Sequence, residues 1–264
     1  MNLQNKTIWI TGASSGIGEA LAIELAKEKC SLILSARRKE ELERVQKICL
    51  EYTTSCNIYT LDLSDIDSLD KAAEDVMNNF GPVQIMIHNG GISQRSAVAE
   101  TNFSVDKRIM DVNFFSYVKL TKKILPSMIK NKEGHFVVIS SVSGKFGFPL
   151  RSAYAASKHA LHGFFDTLRF EEHANNIGVT IVCPGRIKTN ISFHALEKDG
   201  KPHGKMDDGQ EQGIAVDVCA KKIIRGVNNG KNEIYIGGKE ILMVYIKRFF
   251  PGLFNWLVLK IKPT

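Results

Sequence analysis

Short runs of β-favouring residues recur along the chain with longer helical patterns between them, and that alternation restricts the fold more than any other feature. The runs are IWI near residue 8, SLILS at 31–35, NIYTL at 57–61, VQIMIH at 83–88, FVVIS at 136–140 and VTIVC at 179–183. Residues 19–29, 39–50, 69–80 and 153–174 carry helix formers with recurrent apolar faces, so the pattern reads as successive βαβ units. Near-continuous apolar runs suit strands covered on both faces, as in a parallel sheet. NEIYI at 232–236 predicts a seventh strand, and GVTI and NEIYI together bring the chain back to the sheet late. The polar, glycine-containing stretch from Glu197 to Gln212 reads as a long loop or broken helical insertion able to cover a ligand.

With 44% hydrophobic and 24% charged residues, the 264-residue chain can bury a large core and is neither disordered nor low-complexity. Cys30, Cys49, Cys56, Cys183 and Cys219 form no C-x-x-C pair, which predicts reduced thiols. The net charge is +7, yet residues 239–264 carry five basic side chains against Glu240 alone, +4 of that total. Excess charge on an apolar tail argues against a nucleic-acid groove, which needs a basic surface built through the fold. The first strand begins within a few residues of Met1, which predicts no signal peptide or amino-terminal anchor. No run of 18 apolar residues predicts a spanning helix.

The first strand runs into TGASSGIGEALAIELA, with Gly12, Gly16 and Gly18 spaced G-x-x-x-G-x-G. Small residues there permit a tight strand-to-helix turn and close approach of a pyrophosphate, which the helix amino terminus would favour. The same glycines would also suit a purely structural turn. Glu19 follows Gly18 where a nucleotide-triphosphate loop has Lys-Ser/Thr, so a kinase-like reading fails. Arg37 and Arg38 end the second strand, where an acidic residue would bind ribose hydroxyls and arginine would instead meet a 2′-phosphate. That predicts NADP(H), with a solvated helix-start pair as the alternative. Asp62 with Leu63, and Asn89 with Gly90 and Gly91, follow the third and fourth runs at the ligand edge of an open sheet. A helix cap and a plain turn are their structural alternatives.

Ser141, Tyr154 and Lys158 fall within ISSVSGKFGFPLRSAYAASKHALHGFF. The spacing of four puts Tyr154 and Lys158 on one helical face, with Ser141 approaching from the preceding strand end. A neighbouring ammonium favours the phenolate of a tyrosine whose ordinary pKa is about 10, and Ser141 would hydrogen-bond the reacting oxygen. In carbonyl reduction Tyr154 would give the proton and a reduced nicotinamide the hydride, with alcohol oxidation the reverse.

Taken together, these residues resemble the classical short-chain dehydrogenase/reductase family. TGASSGIG (Gly12, Ser14, Ser15, Gly16, Ile17 and Gly18 within it), Asn89-Gly90-Gly91, Asn113 in DVNFF, Ser141, Tyr154-Ala155-Ala156-Ser157-Lys158, and Pro184-Gly185 through Thr189 follow its ordered motif series over nearly all of residues 6–237. The resemblance implies an α/β, Rossmann-type three-layer sandwich around a mainly parallel, seven-stranded sheet. It implies a catalytic tetrad of Asn113, Ser141, Tyr154 and Lys158, with Asn113 supporting a lysine-centred relay through water. It also implies cofactor contacts from Pro184, Gly185 and Thr189, and a homodimer or homotetramer. LILSARRKEELERV, NGGISQRS, YAASKHALHGFF and the basic aromatic tail resemble the dehydrogenase/reductase seven group, whose members often act on hydrophobic alcohols or carbonyl compounds. His88 and Gly90 depart from the commoner Asn-Asn-Ala-Gly turn.

The expected organisation is one catalytic domain over residues 1–238, with a substrate lid near 190–212, and a basic aromatic helical tail over 239–264. Ile191, Phe193, Leu196 and Met206 are candidate lid contacts, and His194 and His203 weaker ones. His159 and His162 lack metal-ligand spacing, so no metal is expected, and Cys183 reads as a core thiol. The tail's apolar residues, with Lys247, Arg248, Lys260 and Lys262, suit a membrane surface, packing at a dimer or the substrate entrance being the competing account. The expectation is thus an NADP(H)-dependent oxidoreductase of small lipophilic carbonyls or alcohols, cytoplasmic and peripheral on a membrane. An NAD(H)-preferring enzyme, an isomerase or dehydratase on the same fold, and a silent dinucleotide-binding regulator are the alternatives.

Overall fold

The computed structural model describes residues 3–261. Among these, seven parallel strands form one sheet, β1 (Thr7–Thr11), β2 (Ser31–Ala36), β3 (Cys56–Thr60), β4 (Ile85–His88), β5 (Gly134–Ile139), β6 (Ile177–Pro184) and β7 (Glu233–Ile236), in the order β3-β2-β1-β4-β5-β6-β7. The order reverses beside β1, and an open sheet binds ligands at such a switch point.

Residues alternate across each strand, and both faces are apolar. On β1, Ile8 and Ile10 pack with Leu32 and Leu34 of β2 beneath α1 (Gly16–Lys27), α2 (Lys39–Cys49) and the later helix at 216–228. Trp9 faces the other way, with Ile33, Met86 and Phe136, beneath α3 (Leu69–Phe80) and the helices at 116–131 and 152–171. Two covered faces make the three-layer sandwich, and burial of both explains why the strands read as unbroken apolar runs. The indole of Trp9, fully buried, donates to Ser35 Oγ at 2.8 Å, which removes the cost of an unpaired donor in the core.

Helical stretches outside the sequence reading complete the layers: α4 (Phe103–Met110), a π turn at Asp111–Phe115, α5 (Ser116–Asn131), and, after α6 (Ser152–Glu171) and the short α7 (Asp208–Glu211), α8 (Val216–Asn228). Cys219, Ala220, Ile223, Ile224 and Val227 make the buried stripe of α8 at helical spacing. The chain between β6 and α8 is mostly turns, as the loop reading expected. In the tail, α9 (Leu242–Phe249) and α10 (Pro251–Val258) meet at Pro251. Val244 and Phe254 pack on Phe146, so the tail is docked beside the loop that follows β5. Lys262 lies outside the described residues. No helix among the described residues is long and apolar enough to cross a membrane.

Candidate active site

A cavity of about 990 Å³ opens along the carboxyl ends of the strands. At one end the turn after β1 runs beneath it. Gly12 has φ +66°, and a Cβ there would lie 2.5 Å from Gly90 Cα. A Cβ on Gly18 would lie 2.3 Å from the Gly12 carbonyl, which fixes how closely α1 packs on the strand ends. Ser14, Ser15, Gly16 and Ile17 line the cavity; Gly18 does not, and acts through packing. Ser15 begins α1 without capping it through its side chain, leaving the amides of the first turn for an anionic ligand. Arg37 and Arg38 line the outer end, and Arg38 reaches Ser14 Oγ at 3.5 Å. Asp62 and Leu63 line it too, although Asp62 also accepts from the amide and hydroxyl of Ser64, so its turn-capping role is present beside the ligand-facing one.

Asn89 ties the two central turns together, donating to the Thr11 and Gly12 carbonyls at 3.0 and 3.1 Å. The departure at His88 has a structural purpose. Its ring is fully buried, stacks on Tyr117 at 4.6 Å and bonds Thr121 Oγ1 at 2.8 Å, joining the end of β4 to α5. Burial holds it neutral, its pKa pushed down to about 3.

Deeper in the cavity, Tyr154 and Lys158 stand one turn apart on α6, with Ser141 just beyond β5. Ser141 stands beside the Tyr154 phenol, donates to the Pro184 carbonyl at 3.4 Å and accepts from Ser143 N at 3.1 Å. Lys158, 3% exposed, donates to the Ile139 carbonyl at 2.8 Å and lies 5.8 Å from the Tyr154 ring centroid. Burial pushes this lysine down to about 7. Tyr154 stands above its ordinary value because burial outweighs Ser141 and two cations, Arg95 and Arg151, which pull it down. Arg95 and Arg151 thus join Lys158, one turn further along α6, as cations beside the phenol.

Asn113 does not line the cavity. It is fully buried in the π turn, accepting from Ile92 N and donating to the Ile92 carbonyl, both at 2.9 Å, and to Ser157 Oγ at 3.2 Å. A Cβ on Gly91 would stand 3.1 Å from Asn113 Oδ1 and 3.7 Å from Lys158 Nζ, so both groups approach one small space that only a glycine leaves clear. Pro184 and Gly185 end β6 at the cavity wall, where Glu240, from just before α9, accepts from Arg186 N at 2.8 Å. Thr189 lines the wall and accepts from Gln210 at 3.2 Å.

Of the lid residues, Ile191, His194 and Leu196 face the cavity, while Phe193 and Met206 do not line it and are exposed. His203 bonds Glu197 at 3.0 Å and does not line the cavity either. Neither residue type nor spacing marks the groups that tie this segment down. Arg95, which follows β4, and Arg151, at the start of α6, both bind the buried carboxylate of Asp207 on the lid, Arg151 at 3.0 Å. Gln94 beside them is wholly buried. The local sequence offers only a polar S-Q-R-S beginning at Ser93, past the end of β4, which says nothing of its distant partners. The fold also gathers His162, Cys183 and Glu233, at no recognisable ligand spacing, with ligand atoms within 4.8 Å of one another. Lys145 already pairs with Glu233 at 2.7 Å, and burial pushes the Cys183 thiol up.

The short chain dehydrogenase family model matches residues 6–199. "Dehydrogenase/reductase SDR family protein 7-like" of Drosophila melanogaster is 40% identical over 98% of this chain and 81% of its own. An alcohol dehydrogenase from Thermococcus sibiricus complexed with 5-hydroxy-NADP superposes with a TM-score of 0.76 at 24% identity, covering 89% of this chain and 97% of its own. A short chain dehydrogenase/reductase from Burkholderia phymatum in complex with NAD superposes with a TM-score of 0.83 at 20% identity, covering 100% and 98%. The chain therefore belongs to the short-chain dehydrogenase/reductase family, close to the dehydrogenase/reductase seven proteins, and is an NAD(P)-dependent oxidoreductase of that type.

Proposed function

We propose that the protein is an NADP(H)-dependent oxidoreductase that interconverts a small lipophilic carbonyl compound and its alcohol. The observation that carries this reading is one continuous cavity with Ser141, Tyr154 and Lys158 in its inner wall and two arginines at its outer end. The uncapped amides of α1 and the bare turn at Gly12 suit a pyrophosphate, and Arg37 would pair with a 2′-phosphate. Asp62, Leu63, Asn89, Gly90, Pro184, Gly185 and Thr189 would hold the rest of the cofactor. When bound, the nicotinamide supplies or accepts the hydride.

In the reducing direction Tyr154 donates its phenolic proton to the carbonyl oxygen while Ser141 hydrogen-bonds that oxygen as charge develops. Arg95 and Arg151 lower the cost of the resulting phenolate. Lys158, neutral or charged near pH 7, is suited to return the proton, with Asn113 bracing the segment opposite it. Ile191 and Leu196 give the substrate end apolar walls.

The catalytic unit spans residues 1–238, and the tail over 239–264 is an appendage that acts as a membrane contact on a cytoplasmic enzyme assembled as a homodimer or homotetramer. Leu242, Tyr245, Phe249, Phe250, Leu253, Trp256 and Leu259 stay exposed on the tail and would meet the bilayer. The deciding experiment is NADPH and NADH oxidation with a set of lipophilic ketones and aldehydes, wild type against Y154F. Turnover with NADPH that Y154F abolishes while still binding the cofactor is the expected result. A cofactor that binds but never changes redox state would favour an isomerase or regulator.

A further inference from the structure

The helix that carries Tyr154 and Lys158 has no cap of its own. Arg151 occupies the cap position of α6 and makes no side-chain bond to the first turn, which leaves that turn's amides to find partners elsewhere. The partner comes from a distant loop. Gln94, fully buried, places Oε1 2.9 Å from the Ala153 amide and 3.4 Å from the Tyr154 amide, both of which donate to it. Its Nε2 donates to Ser96, Thr101 and Ser152 hydroxyls at 3.2, 3.3 and 3.3 Å. Every polar atom of the side chain is therefore engaged, and its rotamer is fixed from three sides.

The backbone around Gln94 is pinned as firmly. Arg95 N donates to the Leu196 carbonyl and Leu196 N to the Ser93 carbonyl, both at 2.8 Å, while Ser96 N donates to Leu150 at 3.2 Å. The segment 93–96 thus bridges the lid and the start of α6 and ends at the same cavity wall as Gly91 and Ile92. A cap supplied by a distant loop can set where the first turn of α6 sits; a cap within the helix would move with it.

We propose that Gln94 is the positioning residue for Tyr154, fixing the first turn of the catalytic helix against the lid and the cofactor-side loop. The proposal rests on the oxidoreductase reading of Tyr154. The groups facing the Tyr154 ring and hydroxyl are Ser141, Lys158, Arg95, Arg151 and, through the buried interior, Tyr117. Gln94 is neutral and lies outside this ring, with its acceptor on the backbone side of the tyrosine. Glutamate there would keep the acceptor, suit the helix amino terminus and add one negative charge near the phenol. Methionine would keep the volume and lose both the acceptor and the donors.

The test compares full-length wild type, Q94M, Q94E and their Y154F counterparts, corrected for folded fraction by near-ultraviolet circular dichroism. Q94M is expected to lose about tenfold to a hundredfold in kcat while its NADPH Kd stays within about twofold, since the first turn of α6 shifts and the cofactor turns do not. Q94E is expected to recover kcat to within about threefold, with the alkaline limb of its kcat profile about one pH unit higher. Tyr154 ionisation is also read without turnover, as the tyrosinate absorbance difference between each protein and its Y154F counterpart, and should rise by the same interval in Q94E. Wild-type kcat in folded Q94M, or an unmoved Tyr154 titration in Q94E, overturns the proposal. If wild type turns over no carbonyl substrate, the oxidoreductase reading fails, and the titration alone then decides the role of Gln94; the same titration decides it should Q94M not fold.

Discussion

Replacing Asp207 with asparagine tests whether the lid is held by a buried ion triad. The Asp207 side chain is 9% exposed and those of Arg95 and Arg151 are 4% and 13% exposed. Asp207 accepts from Arg95 Nε at 3.1 Å, from Arg95 Nη2, and from Arg151 Nη2 at 3.0 Å. D207N leaves two buried guanidinium groups without a counter-charge, and breaking a buried pair costs about 3–5 kcal/mol. Arg95 Nη1 keeps its bonds to Ser93 Oγ and the Gln94 carbonyl, so the lower end, about 3 kcal/mol, is expected. For a chain of 264 residues that is a fall of about 5 °C in Tm. A second readout comes from Tyr154. Both arginines already pull its pKa down, and removing the carboxylate strengthens that pull, so the alkaline limb of carbonyl reduction moves to lower pH. Thermal unfolding followed by circular dichroism, with R151M and the R151M/D207N double variant, gives the coupling between the charges, expected to exceed about 1 kcal/mol. A Tm within about 1 °C of wild type, or a loss abolished by molar salt, would show a screened surface contact and refute the reasoning.

Three further outcomes are expected. R37A should lose about tenfold to a hundredfold in kcat/KM with NADPH and change little with NADH, the loss of a charge-assisted bond of about 1.5–3 kcal/mol; equal loss with both cofactors would remove Arg37 from the 2′-phosphate. K158M should abolish turnover and yet melt higher than wild type at pH 6. A lysine lowered from 10.5 to about 7 destabilises the fold most below pH 7, and the penalty fades as pH rises from 7 to 10.5, so the advantage of K158M should fade over the same range; a gap independent of pH would refute the buried lysine. On the tail, a variant with Phe249, Phe250 and Trp256 changed to serine should bind phosphatidylserine vesicles more weakly than wild type in salt-dependent sedimentation, with enzyme turnover in solution unchanged; equal binding would leave the exposed face to another partner.

How much of this was legible in the sequence depends on what each residue does. The central strands could be read because burial on both sheet faces writes itself as near-continuous apolar runs, while the half-buried edge strands β3 and β7 were legible from their β-favouring residues. The α8 stripe at 219, 220, 223, 224 and 227 is equally periodic, whereas α4 and α5 are interrupted by the π turn and carry Pro126, which blur the helical period. Gly12, Ser141, Tyr154 and Lys158 could be found because each must be one residue type at one spacing. Phe193 and Met206 could not be placed, because a loop has no period to say which side chain faces in; the structure turns both outward. Gln94 and Asp207 were out of reach for another reason. Their roles exist only through partners 59 and 112 residues away, Ala153 and Arg95, which no local pattern encodes.

The electrostatics of Tyr154 follow from the same long-range assembly. Spacing alone puts an ammonium one helical turn away, and simple charge logic makes that ammonium the agent that eases phenolate formation. In the folded chain Lys158 is so fully buried that its own charge is in question near pH 7, and a half-neutral lysine is a weak source of field. Arginine resists the same burial. Arg151, pushed down only to about 10, stays charged wherever the enzyme works. Under the proposed function, two tasks that the sequence motif joins fall to different residues. In the proposed chemistry the two arginines held by Asp207 supply the standing field, and Lys158, lowered to about 7 by burial, exchanges the proton. Asp207 offsets part of that field, so the lid carboxylate sets how strongly Tyr154 feels the two arginines, which ties the lid to the proposed proton chemistry.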